Sequence, residues 1–348
     1  MEMLFGNFKI YKNKNILVTG HTGFKGSWLT QWLIKLGANV TGYSLYPYIN
    51  SKHFDELQFG DKIKNNFVDI RDKEKIAKVI DWCKPDLIFH LAAMPIVLNS
   101  YNIPAYTYDV NIQGTVNLIE SSLCSTAKGM VCVTTDKVYE NAEDIYAKRE
   151  TDNLGANDPY STSKACVELI VESFKKINSH FLISTCRGGN TIGGGDYSEY
   201  RIIPDYIKAI QDNKEFLLRF PYATRPYIHV LDVLNGYLTV GSKILDTDIS
   251  ANTSFNFGPD IDSEVDNEEL LKLMKKYYPY KNIKINHPSM SSFEKNYLSL
   301  DSTKARKILK WKPKYNIKQS VQKTMEWYKE YIENGNIITE KQIEEYGE

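Results

Sequence analysis

A parallel, doubly wound α/β sheet with a smaller second lobe is the fold the sequence predicts, and three observations point to it. Short β-branched runs alternate with helical stretches along the N-terminal half; the runs are almost continuously apolar, as strands covered on both faces must be; and a glycine-rich turn follows the first of them. At roughly 150 residues per domain, the 348 residues suggest about two lobes, and a 42% hydrophobic content is enough for a core.

Taken in order, NILVTG (15–20) reads as the first strand, followed by a helix from about Ser27 to Leu36. NVTGYSL (39–45) is the second strand, a third precedes VDIRD, and a helix runs near Lys73 to Trp82. DLIFHLAA (86–93), a helix from about Ala105 to Ser122, and GMVCVTTD (129–136) continue the alternation. A helix opens near Pro159, capped by Asp158, and HFLISTCRGGN supplies another strand, taking this lobe to about residue 186. Beyond it the texture changes to glycine-rich GGNTIGGGD (188–196), aromatic LLRFPYATRPYIHV (217–230) and a charged end. VLDVLNGYLTVGSKI (230–244) reads as a helix returning to the first lobe, so the expected division is discontinuous: 1–186 with about 230–258, and about 187–229 with 259–348.

The 43 Lys and Arg balance 43 Asp and Glu, which disfavours holding a nucleic acid or an anionic membrane through net charge. No apolar run reaches the roughly 18 residues of a membrane span, and MEMLFGNFKIYKNKN lacks the pattern of a signal peptide, so the expected location is the cytoplasm. Cys83, Cys124, Cys132, Cys166 and Cys186 are odd in number, widely spaced and without a CxxC pair. Neither a disulfide framework nor a metal site is expected; the reading is small buried side chains kept reduced.

Chemistry concentrates in two places. GHTGFKG sets Gly20, Gly23 and Gly26 at the mouth of a helix, where bare backbone N–H groups can approach a pyrophosphate. The second strand ends in Tyr43, Ser44 and Leu45, with neither the acid that reads a ribose diol nor an arginine for a 2′-phosphate, which leaves NAD or NADP open. Asp69 and Ile70 stand where an adenine edge could be read, or form a turn aspartate beside a core isoleucine. Tyr160 and Lys164 lie one helical turn apart, so a phenol and an ammonium share a face and the charge favours the phenolate, a base for an alcohol. Thr134, Thr135, Asp136 and Lys137 end the preceding strand, where open α/β sheets bind ligands.

GHTGFKG, FHLAA, VTTDKVY, PYSTSK, RGGNTIGGGD, RPYIHVLD, FNFGP and LKWKP follow one another in the order seen in extended short-chain dehydrogenases/reductases, and the chain resembles that family from about residue 13 through the late KQIEEY. GHTGFKGSWL, TDK, GNTIGGGD and RPYIHVL resemble most the CDP-glucose 4,6-dehydratases of its sugar-nucleotide dehydratase branch. The resemblance implies a Rossmann-like fold and an NAD-dependent hydro-lyase that makes a 4-keto-6-deoxyhexose from a nucleotide-diphosphate sugar, best CDP-glucose, for deoxysugar and polysaccharide biosynthesis. The alternatives are the same reaction on a GDP- or UDP-linked N-acetylhexosamine or a heptose and, after it, a C4 epimerase or 4-dehydrogenase, which would leave Asp136 and Lys137 without a role; a non-catalytic dinucleotide sensor would not need Tyr160 with Lys164.

Carried over by position, the resemblance implies Tyr160 as base at the C4 hydroxyl, Lys164 lowering its pKa, and Thr135 bonding the same hydroxyl. Asp136 is implied as the acid at C6, and Lys137 as the C5 base or an ion-pair partner of Asp136. Gly20, Gly23, Phe24, Gly26, Asp69, Ile70, Ala92, Ala93, Asn111, Tyr160 and Lys164 would hold the cofactor, with Asn111 equally able to support its helix. Met94, Asn190, Arg201, Arg225 and His229 would face the substrate, His229 being alternatively a buried hydrogen-bonded histidine. A homodimer is implied, through two helices from each subunit, one bearing Tyr160 with Val167, Ile170 and Val171. The chain departs from the pattern at Met94, Leu98, Asn99, Gly189, Tyr197, Tyr227, Phe293 and Asn296.

Overall fold

The computed structural model describes residues 8–46, 51–140, 146–286 and 297–348; Phe293 and Asn296 lie outside them. Seven parallel strands form the central sheet: β1 (Asn15–Thr19), β2 (Asn39–Ser44), β3 (Ile63–Phe67), β4 (Leu87–His90), β5 (Gly129–Val133), β6 (Leu182–Gly188) and β7 (Ser254–Phe257). Their spatial order is β7-β6-β5-β4-β1-β2-β3. The order reverses between β1 and β4, so the carboxyl ends of these two strands open the crevice where such sheets bind ligands.

Every residue of β4, β5, β6 and β7 is buried; β5 accordingly reads as an unbroken apolar run, while Ser184, Thr185 and Arg187 of β6 and Ser254 and Asn256 of β7 are buried polar residues with hydrogen-bond partners. The helix expected from Ser27 begins at Phe24, because Gly23 is already its extended N-cap. It is called α1 (Phe24–Lys35). The single helix expected over 105–122 is Pro104–Tyr108, a π-helical turn Asp109–Gln113 and Gly114–Ser122. Asn111 sits in that turn, and its side chain ties the Met94 backbone to Ser163. Helix α2 (Pro159–Ile177) is capped by Asp158, which accepts from the Ser161 N–H at 2.9 Å. Val167 and Val171, expected as contact residues between subunits, are fully buried in this chain's own core, so they cannot serve a partner.

Helix α3 (Val230–Leu245) returns to the sheet and covers its β4–β6 side. The aromatic segment forms short strands, Thr224–Arg225 and Tyr227–His229, the latter parallel to Asn190–Ile192. Cys132 and Cys186 are buried, but Cys124 is exposed, so burial does not account for it.

The late KQIEEY lies in helix α4 (Thr339–Gly347), which folds back onto α1. Lys35 reaches Glu344 at 2.5 Å and Glu340 at 3.2 Å, and Trp32 meets Tyr346 edge-on. A buried chain of hydrogen bonds links the same elements: Ser27 Oγ to His53 Nδ1 at 2.7 Å, and His53 Nε2 to Thr339 Oγ1 at 2.8 Å. Among the described residues no helix is long and apolar enough to cross a membrane.

Candidate active site

The glycine turn forms one wall of a cavity at the β1/β4 switch point, with Tyr43, Ser44, Val68, Asp69, Ile70, Ala92, Ala93, Met94, Thr134, Tyr160, Lys164 and Arg201 around the rest. Gly20 has φ +73°, and a Cβ there would stand 2.6 Å from the Ala92 nitrogen. At Gly26 a Cβ would meet the Gly20 carbonyl oxygen at 2.0 Å, so helix and turn touch through backbone alone. Gly23 is different: its nearest neighbour would be 3.5 Å away. The fold tolerates a side chain at Gly23, and the space is left on the cavity side, at the N-terminus of α1, where the first N–H groups have no helical partner.

No acid stands in the first turn of α1, and Lys25, Lys164 and Arg201 all line the cavity. Burial pulls the Lys25 ammonium down to about 8, helped by Arg201 and Lys164. Such a wall fits the diphosphate of a dinucleotide in charge and shape. At the end of β2, Thr22 Oγ1 and Ser44 Oγ meet at 2.8 Å, so hydroxyls stand where an acid often reads the ribose. The Asp69 carboxylate faces Arg71, which holds it below the usual value; its backbone carbonyl accepts from the Tyr43 hydroxyl at 2.9 Å.

The opposite wall is where α2 meets the end of β5. Lys164 Nζ donates to the Val133 carbonyl at 3.0 Å. Thr135 Oγ1 donates to Asp136 Oδ1 at 2.9 Å and accepts from the Lys137 N–H, capping the short turn Asp136–Val138. Tyr160 faces the Thr135 hydroxyl. Burial pushes its phenol up to about 12, against the opposing pull of Thr135 and Arg201. Within the protein itself burial is the largest influence on Tyr160 and Arg201 is a cation that opposes it, while the Lys164 ammonium donates to the Val133 carbonyl.

Tyr160 and Lys164 line the cavity, while Thr135, Asp136 and the half-buried Lys137 follow directly behind Thr134. Arg201 is on the cavity wall, anchored to Asp196 at 2.9 Å. Asn190, Arg225 and His229 are not on that wall. Arg225 is buried and donates to the Thr224 carbonyl at 2.8 Å; His229 is buried, accepts from the Leu231 N–H to cap α3, and is lowered to about 3 by burial. Asn111 lies behind the wall and sets the Met94 backbone, with its Oδ1 accepting from the Met94 N–H at 2.7 Å. Lys25 and Ser198 are cavity residues that the sequence reading did not single out, whereas Thr134 stands on the wall as its strand-end position implies. Lys25 could have been found from its place inside GHTGFKG; Ser198 carries no sequence signal.

Over residues 17–324 the chain matches the family described as GDP-mannose 4,6 dehydratase. It is 36% identical to the CDP-glucose 4,6-dehydratase of Salmonella typhimurium over 99% of this chain and 98% of that one. The dTDP-D-glucose 4,6-dehydratase of Homo sapiens is 28% identical over 96% of this chain and 95% of that protein. Among solved structures, an epimerase from Methanothermobacter thermautotrophicus superimposes with TM-score 0.83 at 23% identity, covering 95% of this chain and 96% of its own. A dTDP-glucose 4,6-dehydratase from Streptomyces venezuelae, solved with NAD bound, gives 0.78 at 22% identity, covering 92% and 97%. With its glycine turn, its Tyr160–Lys164 helix and a match across most of its length, the chain belongs to the GDP-mannose 4,6 dehydratase family of extended short-chain dehydrogenases/reductases.

Proposed function

We propose that the chain is an NAD-dependent sugar-nucleotide 4,6-dehydratase, a hydro-lyase, with CDP-glucose as its substrate. The observation that carries the reading is the meeting of Tyr160 with Thr135 and Asp136 beside the cavity whose other wall is the glycine turn. The full-length likeness to a CDP-glucose 4,6-dehydratase supports the choice of nucleotide and sugar. Of the departures from that pattern within the described residues, Met94 lines the cavity; Leu98, Asn99, Gly189, Tyr197 and Tyr227 do not.

Tyr160 takes the proton of the C4 hydroxyl, with Thr135 sharing that oxygen. Bound against the glycine turn, Tyr160 and Lys164, NAD would supply a hydride acceptor for C4 and donor for C6, and a positive charge that would favour the phenolate. Lys164 holds the end of β5 and the nicotinamide ribose. Asp136, buried and hydrogen-bonded by Thr135, delivers a proton to the departing C6 hydroxyl, and Lys137 takes the C5 proton and returns it to C5 as hydride reaches C6. Residues 1–186 with about 230–258 serve the cofactor, and 187–229 with 259–348 the sugar nucleotide. The protein works in the cytoplasm as a homodimer through α2 and the preceding helices, where Leu98, Tyr101, Leu169 and Ile177 are exposed.

The test is incubation with NAD and a panel of CDP-, GDP-, UDP- and dTDP-sugars, read by mass spectrometry for loss of one water. Dehydration of CDP-glucose alone is expected; dehydration of another member moves the substrate, and of none overturns the reading. Asp136→Asn is expected to retain oxidation at C4 and slow elimination at least about 100-fold.

A further inference from the structure

Three consecutive residues at the end of β5 are each held by a different turn of α2. Lys164 takes the Val133 carbonyl, Glu168 the Thr134 hydroxyl, and Tyr160 faces the Thr135 hydroxyl. Tyr160, Lys164 and Glu168 are spaced four apart, so they form one stripe along the helix. The last member, Glu168, takes no part in the proposed chemistry, yet it is the most heavily bonded. Glu168 is 1% exposed. Its carboxylate accepts from Thr134 Oγ1 at 2.5 Å, Thr185 Oγ1 at 2.6 Å, Arg187 Nη2 at 2.8 Å and Ser254 Oγ at 3.3 Å. Those partners come from just past β5, from the middle and end of β6 and from the first residue of β7, so one buried group ties three neighbouring strands to the helix that carries Tyr160 and Lys164.

We propose that Glu168 is a positioning residue for the dehydration, acting through Thr134 to hold the Thr135–Asp136 turn in register with Tyr160. The proposal deepens the dehydratase reading and rests on it. One hexose ring has to meet Tyr160 and Thr135 at C4 and Asp136 at C6 together, and a displacement of about 1 Å between such groups can cost on the order of 100-fold in rate. A hydroxyl on Thr134 and an ionised carboxylate on Glu168 prevent that displacement. Burial pushes the Glu168 carboxyl up, but Arg187 and the two threonine hydroxyls bring it below the ordinary value, so it remains a charged acceptor at working pH.

Substitution of Glu168 itself would also leave Arg187 unpaired and disturb folding, so Thr134 is the place to test the clamp. Thr134→Val keeps the shape and leaves the Glu168–Arg187 pair intact, and Thr134→Ser restores the hydroxyl. In the NAD-loaded protein with CDP-glucose, Thr134→Val is expected to lower kcat at least about tenfold, with KM within about twofold and a thermal midpoint only a few degrees lower, the variant remaining fully folded at the assay temperature. Thr134→Ser is expected to recover most of the rate. A valine variant turning over at the wild-type rate overturns the proposal, as does a serine variant no better than valine, or a rate loss accounted for by unfolding at the assay temperature.

The second readout needs no turnover: 13C-tyrosine NMR of the NAD-loaded protein, with the Tyr160 signal assigned through Tyr160→Phe. That signal is expected to move in Thr134→Val and to return in Thr134→Ser; if it stays still in both, the clamp does not set Tyr160 against its turn. Wild-type protein inactive on CDP-glucose would overturn the substrate reading, and the NMR arm would still decide the clamp.

Discussion

The two walls of the cavity are built on opposite principles. The glycine turn is shaped by what is missing: Gly20 and Gly26 lie so close to backbone that no side chain fits. The Thr134–Lys137 turn is shaped by what is added, a buried carboxylate and an arginine 3% exposed behind it, with hydroxyls from three strands. The first wall is mostly a local device, seven residues of sequence closed against the Leu91–Ala92 backbone. The second depends on residues as far away as Ser254, so its geometry is a property of the assembled sheet. A local wall should fail locally when altered, and an assembled wall should take the fold with it.

The sharpest way to break that contrast is Arg187→Met. It leaves Glu168 buried without its cation, and a loss of about 3–5 kcal/mol is expected in urea unfolding at neutral pH. The gap should narrow in acid. The depressed Glu168 pKa contributes stability that is present above the ordinary glutamate value and lost as pH falls through the folded value, while the variant gains by protonating the same carboxyl. A gap that does not change with pH would remove the ion pair from the account. Gly20→Ala comes next. Its positive φ and its closeness to Ala92 should cost about 2–3 kcal/mol, read as a lower urea midpoint. Smallest in stability is Gly23→Ala, expected to unfold within about 0.5 kcal/mol of wild type, since only ordinary contacts surround it. Its cofactor affinity, measured by calorimetry with NAD, should nonetheless fall at least tenfold because the added methyl stands at the helix mouth. If Gly23→Ala binds NAD normally, the turn is a structural device only.

This contrast also governs what could be read from the sequence. The sheet was legible because buried parallel strands leave apolar runs, and GHTGFKG was legible because close approach demands glycine at fixed spacing. Tyr160 and Lys164 were legible because one helical turn relates them. The break in the helix at Asp109–Gln113 was not, since the side chain of Asn111 leaves the helix for Met94, a contact between segments. Nor was the turning of Lys164 toward Val133, or the burial that raises Tyr160, because both depend on how α2 lies against β5. His229 shows the limit from the other side: a histidine in a motif resembling a substrate site caps a helix in the core.

The folding of α4 onto α1 bears on how the protein is made. Helix α1 belongs to the first unit of the sheet, yet Lys35, Trp32 and, through His53, Ser27 find partners in a helix that begins at Thr339. At roughly 5–20 residues per second, the roughly 300 residues between them occupy the ribosome for about 15–60 s. Throughout that interval the nascent first unit lacks the Tyr346 ring that meets Trp32 and the glutamates that meet Lys35. Synthesis of α4 is the event that supplies those partners, so the first unit is finished by a segment made long after it.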